Sequence, residues 1–234
     1  MQNLKYSTEV QHLNGKSFTS QAISFKALDG YVLAGVLYTP VNTIKATIVV
    51  SSATGVPQAF YRRFSEYAAQ LGYQVLTFDY RGVAKSAPRQ LKGFKMSYLD
   101  WGRLDLAGAI DYSFKQDMPL FLVGHSYGGQ ALGLTPNHDK VSAMYCFGTG
   151  AGWHGYMPLK EKIKVQVIWN IIFPPMVAIT GYYLGVNSIW VQIYLKGSTS
   201  NGVDGVKIPL TFLQILSNKI CMNNMPRLKR RFMQ

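Results

Sequence analysis

The sequence predicts an α/β fold in which a mostly parallel sheet is covered by helices on both faces. Two patterns and the chain length predict it. Short apolar runs at 46–50, 75–78 and 120–123 are typical of buried parallel strands. Stretches with apolar residues at helical spacing, over 58–71 and 104–114, alternate with these runs. The 234 residues are enough for one sizeable core with a small lobe on top of it.

A β-hairpin precedes the alternating part of the chain, within residues 17–40. Its turn is predicted at Asp29-Gly30, because an Asp-Gly pair between strand-like segments is a strong tight-turn signal. After the first central strand and a loop, the helix over 58–71 is expected to end at Gly72, which serves as its C-cap.

The second half of the chain continues the alternation and then changes character. The remaining core elements are a strand at 75–78, a helix at 104–114, a strand at 120–123 and a strand at 141–147. The predicted core spans residues 1–150. Residues 165–186 carry no charge, which would suit a transmembrane span, but Pro174-Pro175 would break its helix. We therefore interpret 151–187 as a short apolar lid over a binding cleft.

The net charge of +13 raises the question of a nucleic-acid or anionic-membrane partner. The excess is concentrated, since residues 188–234 carry 7 Lys and Arg against 1 acidic residue, whereas 1–187 carry 17 against 10. Segment 188–234 lacks the patterns that would complete the fold, so the C-terminal strands are predicted to be missing and the segment is an atypical basic tail. Cys146 and Cys221 give neither a disulfide framework nor metal-ligand spacing. The first residues lack the apolar stretch of a signal peptide, which favours a cytoplasmic protein.

A G-x-S-x-G pattern, Gly124-His125-Ser126-Tyr127-Gly128, follows the apolar run at 120–123 and precedes a helical stretch. In this context the serine is forced onto a sharp, strained turn with its hydroxyl exposed. The turn leaves no room for side chains two residues before and after the serine, and a further glycine, Gly129, lets the helix approach the strand. The alternative is a glycine-rich turn with an incidental serine, and the order of elements favours a nucleophile.

Further segments complete a specific pattern together with this motif. They are the Asp29-Gly30 hairpin, Ala53-Thr54-Gly55-Val56-Pro57 with Phe60-Tyr61-Arg62-Arg63-Phe64, Asp79-Tyr80-Arg81-Gly82, and Asp100-Trp101-Gly102-Arg103-Leu104-Asp105. In these segments the chain resembles the α/β-hydrolase superfamily. Over residues 20–185 it is similar to a group of predicted bacterial cytosolic hydrolases whose substrate is unsettled.

The resemblance implies a serine hydrolase that acts on an ester, thioester or amide through an acyl-enzyme at Ser126. The serine needs a histidine base oriented by a carboxylate. An oxyanion hole is implied as well, with the Tyr127 N–H as one donor and the N–H of Thr54 or Ala53 as the other. We expect a small-molecule substrate with an apolar acyl moiety, and neither a cofactor, a metal nor a nucleic acid.

The triad base and acid are not evident in the sequence. In this superfamily the acid and then the histidine follow the serine on later loops, but His138 and His154 come too early. We expect His138 in a surface turn and His154 at the start of the lid. The other histidines have simpler interpretations, since His125 packs inside the elbow and His12 is near the terminus. Among the carboxylates, Asp79 fixes its own loop and Asp139 is a turn residue. Asp204 is the one carboxylate after the lid. Activity of this chain is therefore expected to be impaired.

The atypical tail has two explanations. Back-translation in a shifted frame permits strings over 189–197 and 201–209 that resemble what the family has after its lid, so we favour a slip of the reading frame near Tyr182-Tyr183. The rival is a genuine extension that binds RNA or an anionic surface. A non-catalytic protein with the same fold and a membrane-surface binding protein remain as alternative functions, although a membrane surface is the less favoured partner.

Overall fold

The computed structural model describes residues 8–13, 16–91, 93–149, 158–172, 174–175 and 179. The strands are β1 (Thr8–Leu13), β2 (Lys16–Lys26), β3 (Val32–Pro40), β4 (Ala46–Ser51), β5 (Tyr73–Phe78), β6 (Leu120–His125) and β7 (Ala143–Phe147). The α-helices are α1 (Arg62–Gln70), α2 (Ala107–Ser113), α3 (Tyr127–Ala131) and α4 (Leu159–Val167).

The strands form one mixed sheet in the order β1-β2-β3-β5-β4-β6-β7. Strands β5, β4, β6 and β7 are mutually parallel, and β1, β2 and β3 extend the sheet from β5 through antiparallel pairs. Strand β4 is buried along its whole length, as its uninterrupted apolar run predicts. The predicted parallel block is confirmed, whereas β1 was not predicted from the sequence.

The predicted hairpin is formed by β2 and β3, which pair from Phe18 opposite Pro40 to Lys26 opposite Val32. Gly30 adopts φ 85°, a conformation that glycine reaches without steric cost. The Asp29 carboxylate accepts a hydrogen bond from the Tyr31 N–H at 3.2 Å, which is a local bond typical of Asp in turns.

Helices cover both faces of the sheet, as predicted. On one face α1 packs Phe64, Ala68 and Ala69 against the strands, and on the other face α2 and α3 contribute Ala109, Ile110 and Ala131, among others. Gly108 allows α2 to approach β2, since a Cβ at that position would lie 2.5 Å from the Lys26 carbonyl oxygen. Each buried aliphatic side chain contributes about 1.5–3 kcal/mol, which makes these two layers the main source of stability.

The two predicted helices of the core begin differently from the expectation. The segment 58–71 starts with a 3₁₀ turn over Gln58–Tyr61 before α1, and it ends at Gly72 with φ 94°, as predicted for a C-cap. The segment 104–114 starts earlier, as a π-helical turn over Trp101–Leu106 that continues into α2.

An ion cluster, buried at Arg81 and Asp105, ties the hairpin turn to this π-helical turn. The Arg81 guanidinium donates hydrogen bonds to both carboxylate oxygens of Asp29, at 2.7 and 2.8 Å, and its Nε donates to Asp105 at 2.8 Å. Asp105 is fully buried, and it also accepts the backbone N–H of Arg81 at 2.9 Å. Burial raises the pKa of Asp105 to about 6, although the hydrogen bonds and charge of Arg81 oppose this rise.

The predicted lid is described only in part. Helix α4 and the π-helical turn Ile168–Ile172 expose apolar side chains, including Leu159 and Ile163 at 71% and 52%. In the described part of the chain, no helix is both long and apolar enough to cross a membrane. The described residues do not include the domain boundary near 150, most of 176–187 or the tail 188–234. The prediction that the C-terminal strands are missing therefore falls outside the described residues.

Candidate active site

Ser126 occupies the turn between β6 and α3. Its backbone has φ 52° and ψ −115°, a combination that costs a non-glycine residue about 1–3 kcal/mol. The strained conformation is held from both sides. The Ser126 N–H donates to the Phe147 carbonyl at 3.1 Å, and the Ser126 carbonyl accepts from the Gly129 N–H at 3.0 Å and from the Thr149 hydroxyl at 3.2 Å. Bonds from β7, α3 and the residues after β7 therefore hold the backbone conformation of Ser126.

The three glycines of the elbow have no room for a side chain. A Cβ on Gly124 would lie 2.6 Å from the Gly129 Cα. A Cβ on Gly128 would overlap the Ser51 carbonyl oxygen, and one on Gly129 would overlap the Thr149 hydroxyl. A Cβ would thus meet backbone atoms at Gly124 and Gly128, whereas at Gly129 it would meet the side chain of Thr149.

The end of β4 and the start of the loop after it lie against the elbow, since a Cβ on Gly128 would meet the carbonyl oxygens of Ser51 and Ser52. Ala53 is 7% exposed, and its N–H donates to the Tyr61 hydroxyl at 2.9 Å. Thr54 is exposed, and its hydroxyl shares a hydrogen bond of 2.5 Å with the Tyr98 hydroxyl. The structure therefore brings both predicted loop residues next to the elbow, but in different environments.

Tyr127 is buried in an aromatic cluster beside Ser126. Its ring lies 4.4 Å from the ring of Tyr98, 5.6 Å from Trp101 and 6.0 Å from Tyr80, measured between centroids. Its hydroxyl donates to the Tyr98 carbonyl at 3.0 Å. Burial raises the pKa of the Tyr127 phenol, so this side chain remains a neutral hydrogen-bond donor. The cluster fixes the backbone of the residue that follows Ser126.

His125, the residue before Ser126, is held by stacking and by one hydrogen bond. Its ring is parallel to that of Phe147 within 9°, with centroids 4.5 Å apart, and it is nearly parallel to the ring of Phe60, with centroids 6.4 Å apart. Its Nδ1 is 2.9 Å from the Tyr61 hydroxyl. Burial lowers the pKa of His125, which favours the neutral imidazole near pH 7. The ring is thus held by Phe147, Phe60 and the Tyr61 hydroxyl.

The other candidate acids and bases make contacts away from Ser126. His138 is exposed in a 3₁₀ turn together with Asp139, and its Nδ1 bonds with the Thr135 carbonyl at 3.0 Å. The Asp79 carboxylate accepts the N–H groups of Gln58 at 2.8 Å and Lys85 at 3.2 Å, so it stabilises its own loop. The side chain of His12, together with His154, Asp204 and Cys221, lies outside the described residues.

Within the described ranges, neither His125 nor His138 hydrogen-bonds with the Ser126 hydroxyl. The base and the acid of a triad therefore stay unassigned. The same part of the chain contains no cluster of three or more His, Cys, Asp or Glu side chains arranged to hold a metal ion.

Sequence reasoning missed Tyr61 and Tyr98 as neighbours of the site. Tyr61 lies in a segment that carries the family resemblance, which was the one available signal. Tyr98 lies in a loop with no motif, and its hydrogen bond to Thr54 joins residues far apart in the chain.

A sheet of this topology, with a strained serine between a parallel strand and its following helix, defines the α/β-hydrolase class. Residues 42–180 match the family described as serine aminopeptidase, S33, and the chain belongs to that family. Comparison with curated protein sequences gave no match.

Solved structures of three α/β-hydrolases are similar to this chain. A highly thermostable carboxyl esterase from Bacillus coagulans is 18% identical with a TM-score of 0.47, over 88% of this chain and 66% of that one. A soluble variant of monoglyceride lipase from Saccharomyces cerevisiae is 18% identical with a TM-score of 0.45, over 76% and 52%. The α/β hydrolase GrgF from Penicillium sp. sh18 is 20% identical with a TM-score of 0.45, over 54% and 45%. The chain thus spans between 45% and 66% of the lengths of these proteins.

Proposed function

We propose that this chain is a serine hydrolase that cleaves an ester, thioester or amide of a small apolar acyl group through an acyl-enzyme at Ser126. The observation that carries the proposal is the strained backbone of Ser126. Such strain persists only where the surroundings impose it, and it is concentrated at active sites. In this class of fold it presents the serine hydroxyl to the substrate.

The proposed reaction begins with attack of the Ser126 Oγ on the substrate carbonyl carbon. A bond from Oγ to the acyl carbon forms, and the serine proton passes to a base, a role that neither described histidine side chain fills. Collapse of the tetrahedral intermediate breaks the bond to the alcohol, thiol or amine, which takes up a proton. Water then attacks the acyl-enzyme, releases the carboxylic acid and restores the Ser126 hydroxyl.

Two backbone donors are proposed to stabilise the oxyanion. The Tyr127 N–H follows the nucleophile directly, as this class of site requires. For the second donor we favour Thr54 over Ala53, because the Ala53 N–H is buried and already donates to Tyr61. Thr54 is exposed to an approaching substrate. One such donor contributes about 10²–10³ in rate in a complete site.

An apolar acyl group suits the surface beside this site. Tyr98 and Leu99 are 48% and 38% exposed, and the Tyr98 ring lies against Tyr127. A short acyl chain placed there would cover part of this apolar surface and gain about 25 cal/mol per Å² of area removed from water.

Ester hydrolysis tests the proposal. We expect slow turnover of p-nitrophenyl acetate and butyrate, and a loss of about tenfold or more on Ser126→Ala, because the variant cannot form the acyl-enzyme. The matched control is Thr43→Ala, an exposed position far from the elbow in sequence. Equal turnover by the wild type and Ser126→Ala would contradict the proposal.

The second candidate is a protein of the same fold without catalysis. It is favoured because neither described histidine side chain forms a bond with Ser126. This candidate predicts that any ester hydrolysis is the same in the wild type and in Ser126→Ala. We propose that the acid and base were lost through a frame slip near Tyr182-Tyr183. Sequencing the gene through this region should then reveal one missing or extra base and a corrected frame with a later Asp and His. A confirmed frame would overturn the slip.

A further inference from the structure

Two tyrosines connect the loop after β4 with the residues on either side of Ser126. Tyr61 reaches Ala53 in the loop and His125 before the serine. Tyr98 reaches Thr54 in the loop and Tyr127 after the serine. Consecutive loop residues are thus linked to the two neighbours of Ser126, one on each side.

The hydroxyl of Tyr61 forms the inner link. Tyr61 is buried, with 1% of the residue exposed. It accepts the Ala53 N–H at 2.9 Å, and its own proton can then be donated to His125 Nδ1, also at 2.9 Å. A neutral imidazole accepts at Nδ1 when Nε2 carries its proton, so this chain of bonds gives the Ala53 N–H, the Tyr61 hydroxyl and the His125 Nδ1 a partner each. Removing the hydroxyl would leave the buried Ala53 N–H and the Nδ1 of the half-buried His125 without this partner.

Tyr98 is the outer link, and it is half-exposed. Its hydroxyl shares a hydrogen bond with the Thr54 hydroxyl at 2.5 Å, and its carbonyl accepts from the Tyr127 hydroxyl at 3.0 Å. The rings of Tyr98 and Tyr127 are in contact, with centroids 4.4 Å apart. This link therefore connects the side chains of Thr54 and Tyr127, the two residues whose N–H groups we propose for the oxyanion hole.

We propose that Tyr61 and Tyr98 are positioning residues that fix the distance between the 53–54 loop and the elbow. The Tyr61 hydroxyl accepts the hydrogen bond of the Ala53 N–H, so Thr54 is the residue of the loop that remains to face a substrate. Tyr98 holds Thr54 beside Tyr127. Donors aimed at an oxyanion are effective only when they are preorganised, so a loosened loop lowers the rate more than it lowers substrate affinity. This role rests on the proposed function at Ser126.

The test compares Tyr61→Phe, Tyr98→Phe and the control Tyr38→Phe, in which a buried tyrosine of β3 away from the elbow loses its hydroxyl. The first readout is the rate at which a fluorophosphonate probe modifies Ser126. We expect a reduction of about tenfold or more in Tyr61→Phe and a smaller one in Tyr98→Phe, with the probe concentration at half-maximal rate nearly unchanged. Tyr38→Phe should stay within about twofold of the wild type.

The second readout is hydrogen exchange of the Ala53 amide, which does not depend on catalysis. We expect faster exchange in Tyr61→Phe and unchanged exchange in Tyr38→Phe. If the wild type is not modified at all while this exchange difference is present, the proposed function fails and the link through Tyr61 stands. Equal exchange of the Ala53 amide in the two variants overturns the role of Tyr61. A rate of Ser126 modification in Tyr98→Phe equal to that of the wild type overturns the role of Tyr98. Because Tyr98 is half-exposed, its substitution does not alter the core.

Discussion

Replacing Arg81 with methionine is expected to lower the free energy of unfolding by about 3–5 kcal/mol. The reason is Asp105, which is fully buried and receives the Arg81 guanidinium at 2.7 and 2.8 Å. Methionine fills a similar volume but leaves this carboxylate without its counter-charge. Asp29 loses its partner as well, but it is partly exposed and water can replace the guanidinium there.

The pH dependence of this variant follows from the pKa of Asp105. Burial raises that pKa to about 6 in the wild type, above the value of about 3.9 in an unfolded chain. A carboxyl with a raised pKa binds more protons in the folded state, so stability falls as pH rises through the interval between the two values. Without Arg81 the folded-state pKa rises further and the interval extends upward. The loss in free energy of unfolding caused by Arg81→Met should thus be larger near pH 8 than near pH 5.

Chemical denaturation of three variants checks both statements. Arg89→Met, at an exposed position, is the matched control and should lie within about 0.5 kcal/mol of the wild type. The double variant Arg81→Met/Asp105→Asn removes the buried charge together with its partner and should recover part of the loss. An Arg81→Met protein as stable as the control would show that the ion cluster does not stabilise the fold.

Gly128→Ala is expected to have the second large effect, on both folding and the site. The added Cβ would overlap the Ser51 carbonyl oxygen and lie 2.8 Å from that of Ser52. Both contacts are backbone atoms, which cannot rotate away as the end of a side chain can. We expect a loss of about 1–3 kcal/mol or more, because the loop and α3 must separate. Separation also displaces Thr54 from Tyr127, so modification of Ser126 should be slower.

The matched control for this prediction is Gly133→Ala, where the Cβ meets nothing within 4 Å. It should change the free energy of unfolding by no more than about 1 kcal/mol, in the stabilising direction if anything. Thermal melting of the two variants side by side gives the comparison. Equal melting temperatures for both would mean that the close approach of the loop to the elbow is not maintained in solution.

Much of the fold could be predicted because its signals are local. The Asp29-Gly30 turn, the apolar run of β4 and the glycine after α1 each specify a structure within a few residues. The elbow was predictable for the same reason, since the G-x-S-x-G spacing expresses a steric need of one turn. The parallel arrangement of the central strands followed from the alternation of strands and helices, for which few connections are sterically allowed.

The remaining features depend on contacts between distant residues. Strand β1 is defined by its pairing with β2, and no local pattern announced it. The helix predicted to start at Leu104 starts at Trp101, whose indole N–H donates to the Arg81 carbonyl at 2.9 Å. Periodicity shows which residues face the core, but it does not show such a bond. The links through Tyr61 and Tyr98 were unpredictable for the same reason.

The most direct test of a nucleophile at Ser126 is covalent modification of the full chain by a fluorophosphonate probe, followed by mass spectrometry of its peptides. We expect the adduct on Ser126 and its absence in Ser126→Ala, because in the proposed site the strained turn presents this hydroxyl and the N–H groups of Tyr127 and Thr54 would stabilise the charged phosphoryl oxygen. An unmodified Ser126 after prolonged exposure, in a protein shown to be folded, would contradict the account and place the chain among the non-catalytic proteins of this fold.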